Sequence, residues 1–135
     1  MVTPTTTRTR IGAESIYIQK AEKFLEGAKL TLDKGNWNSA AVLAVHTTIS
    51  SCDAICAKFL QKKHSGGEHL QAAYLLRELP FPDKTELENK VKQARRVLDI
   101  KNFAEYEDKF VKEADAREAV QSAERLFDWV KEKLR

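Results

Sequence analysis

Three sets of side chains in this sequence are of types that do acid–base, metal or phosphate chemistry. They are the histidines His46, His64 and His69, the cysteines Cys52 and Cys56, and a stretch running from Arg95 and Arg96 to Lys101, Asn102 and Tyr106. Cys52 and Cys56 lie four apart, which places both on one face of a helix with no partner across a loop. They read as small apolar core or interface residues of a reduced protein, not as a disulfide or redox pair. His46 sits beside Val45 in an apolar segment and reads as a satisfied structural histidine. His64 and His69 flank the Gly66-Gly67 turn. Two imidazoles without a cysteine or a suitably spaced carboxylate set fall short of a metal site, so no metal is expected. The sequence contains no glycine-rich phosphate loop, no zinc-spaced Cys/His set and no nucleophile elbow, which removes most enzyme classes and leaves no cofactor to expect.

The elements that must position these groups are helical. Tyr17, Ala21, Phe24, Leu25, Ala28 and Leu32 recur at steps of three and four, which predicts a helix from Ser15 to about Lys34. Gly35 supplies a left-handed stop, and Asn36 or Asn38 is placed to cap the next helix. That second helix carries Trp37, Ala41, Ala44, Thr48, Cys52, Ile55 and Phe59 on one face and Val45, Ile49, Cys56 and Leu60 beside it. It reads as the most buried helix. Its small residues, among them Ala40, Ala44, Ser51 and Ala54, allow close approach of another helix within the chain or across a homodimer seam.

Gln61 to Gly67 reads as a flexible basic turn, followed by a short helix over Glu68–Leu79 that Pro80-Phe81-Pro82 stops. A further helix begins near Asp83 or Thr85 and runs through Leu87, Val91, Ala94 and Leu98 as far as Tyr106. The last helix spans about Ala114 to Leu134. The fold class expected is all-α, an up-and-down antiparallel four-helix bundle with one additional short helix. Residues 1–13 are expected to be a disordered tail and residues 14–135 the domain.

Composition agrees with one globular domain: 42% hydrophobic and 32% charged residues in 135 fit neither a disordered nor a membrane chain. Lys and Arg exceed Asp and Glu by 23 against 20, too slight an excess to identify a nucleic-acid binder by charge. No signal segment is evident, and no apolar run approaches the roughly 20 residues a bilayer requires. A cytoplasmic protein without membrane contact is the expectation.

Taken in order, the landmarks resemble the HEPN domain over roughly residues 14–134. They are the Tyr17/Ala21/Phe24 stripe, the Gly35-Asn36-Trp37 hairpin entering an Ala-rich helix, and His69 ahead of a short leucine-bearing helix. The Lys101-Asn102-x3-Tyr106 run and a last helix with Ala116, Ala119 and Ala123 that ends Phe127-Asp128-Trp129-Val130 complete the set. The resemblance implies a helical bundle that usually dimerises. In many relatives it also implies a metal-independent ribonuclease whose Arg-x4-6-His motif faces its copy across the dimer cleft. Here Lys101 stands for the arginine, Asn102 matches the polar residue after it, and Tyr106 stands for the histidine.

Both replacements weaken catalysis. A phenol with a pKa of about 10 accepts and returns protons poorly near neutrality, where imidazole at about 6.5 does so readily. A lysine offers phosphate a point charge in place of a bidentate fork. No catalytic residue is therefore assigned. Lys101, Asn102 and Tyr106 are the candidate binding site, with His69, Arg95 and Arg96 as secondary candidates; the two arginines read first as surface ion-pair partners.

The function expected is a non-catalytic or degenerate HEPN module that homodimerises and binds nucleotide, RNA or a partner protein. The resemblance to small HEPN proteins encoded beside a minimal nucleotidyltransferase implies such a partner, in a toxin–antitoxin or defence setting. The alternatives are a metal-independent ribonuclease toxin and a purely structural bundle.

Overall fold

Gly35 joins the first two helices with φ at 75°, a conformation open to glycine without steric cost. In the computed structural model, which describes residues 3–135, α1 covers Ala13–Asp33 and α2 covers Trp37–Leu60. The turn is closed by Gly35 N donating to Leu32 O at 3.0 Å and Asn36 N donating to Thr31 O at 2.9 Å. Neither asparagine caps α2 with its side chain. Asn36 makes no cap bond, and the Asn38 amide reaches elsewhere: Nδ2 donates to Ala104 O at 2.9 Å while Oδ1 accepts from Val111 N at 2.7 Å.

Every residue of α2 from Ser50 to Ala57 is buried. By length and composition α2 could cross a membrane, with a mean hydropathy of 1.4 over its most apolar window, yet 78% of that window is buried inside the fold. Its small residues Ala40, Ala41, Ala44 and Ala54 bring neighbouring helices close within the chain. At Gly27 of α1 an added Cβ would stand 3.2 Å from Leu43 Cδ1, so the Leu43 side chain of α2 packs directly onto α1 there.

After α2 come strand β2 (Lys62–His64), helix α3 (Leu70–Leu75) with a 3-10 turn at Leu76–Glu78, and α4 (Lys84–Leu98). Asp83 Oδ1 caps α4 by accepting from Glu86 N at 2.9 Å. The final helix, α6 (Glu113–Lys133), buries Ala116, Ala119, Val120, Ala123, Phe127 and Val130 against the other long helices. Ile55, Leu75, Leu87 and Leu126 are fully enclosed in the one core, each contributing about 2 kcal/mol by removal from water. The all-helical class expected from the periodicity is what the chain adopts.

Two features differ from the sequence expectation. The fourth helix does not continue to Tyr106: it ends at Leu98, and a separate helix α5 (Ile100–Tyr106) follows the one-residue break at Asp99, packs on α2 and buries none of its residues completely. Asn38 holds that shorter helix through Ala104 and the loop that follows it through Val111.

The expected tail also carries structure. Strand β1 (Thr6–Arg8) pairs antiparallel with β2 in the register Thr6↔His64, Thr7↔Lys63 and Arg8↔Lys62. Flanking bonds from Thr9 N to Gln61 O and from Ser65 N to Thr5 O extend the pairing. The β-branched threonines favour this extended form, and Gln61, at φ 54°, turns the chain out of α2 and into it. Met1 and Val2 of the expected tail lie outside the described residues.

Candidate functional site

His46, Ser50 and Asp53 follow one another at i, i+4 and i+7 and so share one side of α2. Asp53 is buried, and a carboxylate out of water needs a partner. It has one: Asp53 Oδ1 lies 3.3 Å from Nδ1 of the buried His64 on β2. A carboxylate accepts and does not donate, so His64 Nδ1 carries the proton of this bond. The pair thereby ties the small sheet to the central helix.

His69 extends this polar seam. Its ring stands edge-on to that of His64 with centroids 6.1 Å apart, and its Nδ1 is buried with no hydrogen-bond partner among the described residues. Burial, followed by the positive fields of Lys101, His64 and His46, lowers its pKa from the ordinary histidine value, while Glu105 acts the other way. The imidazole is held neutral. His46 on α2, His64 on β2 and Lys101 on α5 thus all bear on His69, which the loop before α3 supplies.

On the α5 side, Lys101 Nζ pairs with Glu105 at 3.1 Å and lies 5.5 Å over the ring of Tyr106. A cavity of about 200 Å³ opens between Gly67, Glu68 and His69 on one side and Asp99, Lys101 and Asn102 on the other. Three of the residues singled out in the sequence, His69, Lys101 and Asn102, thus meet in one place. Tyr106 does not line that cavity; it is 73% exposed and only covers the Lys101 ammonium. Arg95 lies over the Tyr74 ring, and Arg96 lines a different cavity. The cysteines are buried and free, and burial pushes both thiols well above their ordinary pKa, which removes them as nucleophiles.

The family model described as HEPN domain matches residues 15–133. The chain belongs to the HEPN domain family. No match is found among curated proteins. The HEPN assignment fits the all-helical fold and carries a nucleotide- or RNA-related role at the level of the family. Within this HEPN chain the imidazole that lines Lys101's cavity is that of His69, from the loop before α3.

Asp53 was not singled out in the sequence, and the signal that marks it is a lone carboxylate inside a helix of small apolar residues, in phase with His46 and Ser50. Among the described residues, no three His, Cys, Asp or Glu side chains stand together as a metal site.

The lowered pKa of His69 has a stability consequence. Its native pKa lies below the unfolded value of about 6.5, so the unfolded chain takes up this proton first as pH falls. The contribution is fully present above about pH 6.5 and is lost below it. In urea titrations, the His69→Gln variant is expected to lose less stability than the parent between about pH 7 and pH 5.5; identical losses would place His69 in bulk water.

Proposed function

We propose that this HEPN domain is a binding module with little or no turnover, and that the phosphate of a nucleotide or of RNA sits in the cavity beside Lys101, Asn102 and His69. The observation that carries this reading is the convergence of those three side chains from α5 and the loop before α3, with a phenol at the position where the family's ribonuclease motif has an imidazole. The ammonium of Lys101 supplies charge, Asn102 supplies amide donors, and neutral His69 supplies or accepts one hydrogen bond according to its tautomer. The domain acts as a homodimer and works with a second protein, a minimal nucleotidyltransferase, in a toxin–antitoxin or defence pair. Support for the dimer and for this partner rests on the family resemblance.

A ribonuclease is the second reading, and one observation favours it: a neutral imidazole with an orphaned Nδ1 stands beside the candidate phosphate-binding lysine. Such a group accepts a proton near neutral pH.

Fluorescence anisotropy with labelled single-stranded RNA, and calorimetry with a nucleoside triphosphate, test the binding reading. Lys101→Ala is expected to weaken binding by about ten-fold or more, the loss of one charge-assisted contact. A parent protein that binds neither probe, or a variant that binds equally well, refutes it. Metal-independent RNA cutting lost in His69→Gln would establish the enzyme instead.

A further inference from the structure

A second cavity, of about 480 Å³, lies on the other side of α5, where Ile100 and Phe103 face the stretch of α6 carrying Asp115, Glu118, Ala119 and Ser122. It is larger and has more apolar lining than the Lys101 pocket. Val97, Phe103, Val111 and Ala119 make an apolar floor, and the rim sets the carboxylates of Asp99, Asp115 and Glu118 against the single guanidinium of Arg96. None of these four charges takes part in an ion pair among the described residues. Ser122, only 7% exposed, lines the same cavity and makes no side-chain hydrogen bond among the described residues.

We propose that this cavity docks a segment of a partner protein that presents an arginine or lysine next to an apolar side chain. The cation completes the two carboxylates that Arg96 leaves uncompensated, its methylene stem and the neighbouring apolar group cover Phe103 and Val111, and the Ser122 hydroxyl and Arg96 are free to bond the segment's carbonyl oxygens. Complementarity of charge selects this occupant. A polyanion such as RNA is repelled by the rim, where three carboxylates face one guanidinium. The inference is independent of what the Lys101 pocket binds.

The test is a titration of ¹⁵N-labelled full chain with a synthetic amphipathic peptide bearing arginine and leucine on one face, beside the same peptide with glutamate for arginine. The arginine peptide should move the amide signals of Val97, Phe103, Val111 and Ala119, and the glutamate peptide should leave them in place. The double substitution Asp115→Asn with Glu118→Gln changes exposed positions and should weaken the arginine peptide by about ten-fold or more. The proposal is overturned if both peptides bind alike or if the double variant binds unchanged. It is also overturned if, without peptide, the double variant turns a dimer into monomers, which would give this face to a second copy of the chain.

Discussion

Asp53→Ala is expected to cost about 2 kcal/mol of unfolding free energy, because it leaves the buried His64 Nδ1–H without an acceptor. Against a total of about 5–15 kcal/mol this is a large fraction, and it should lower the melting temperature by roughly 5–10 °C. Two effects compete at this site. A buried carboxylate is unfavourable to desolvate, so deleting it returns something, but one partner of a pair removed alone strands the other, and that loss is the larger. A double-mutant cycle with His64→Ala measures the balance in denaturant titrations. Each single change should be costly, and the double change should cost clearly less than the two together. Simple additivity would show that the two side chains are neighbours without being coupled.

Lys101→Arg combined with Tyr106→His is expected to turn a binding module into a metal-independent ribonuclease, with cleavage above that of the parent by about 10²–10⁴-fold, the usual worth of a placed acid–base group. The geometry favours it: the ring at position 106 already lies 5.5 Å from the cation at position 101, so an imidazole there would stand beside a guanidinium able to grip phosphate through two bonds. Release of a quenched fluorophore from RNA in the presence of a chelator reads the gain. No cleavage by a folded double variant would mean that something other than these two side chains withholds turnover.

The long helices are legible in the sequence because their burial repeats. Ala21, Leu25, Ala28 and Leu32 fall inward at steps of three and four, and Gly35, Asp83 and the Pro80-Phe81-Pro82 segment mark where helices stop or start. The break at Asp99 is not legible, since neither glycine nor proline stands there and the apolar period runs on into Ile100. The strand at Thr6–Arg8 is hidden for a related reason: its partner is at Lys62–His64, and neither segment alternates apolar with polar residues.

Of the candidate site, Lys101 and Asn102 follow from the motif-like run, and His69 from its place before the short leucine-bearing helix. The pairing of Asp53 with His64 does not, because register and helix rotation decide it. Tyr106 belongs to the same run in the sequence, but it stands exposed and does not line the cavity that Lys101 and Asn102 enter.

The shape of α5 has a consequence for how the two cavities communicate. This helix has no fully buried residue, Asp99 lines both cavities, and the Asn38 amide fastens it at Ala104 and the loop after it at Val111. With so little holding it, its detachment needs less free energy than that of any long helix. A released α5 would open both recesses at once, because Ile100 and Phe103 line one and Lys101 and Asn102 the other. Whatever occupies either recess then acts as a clasp, reporting its presence to the opposite side through the tilt of a single short rod.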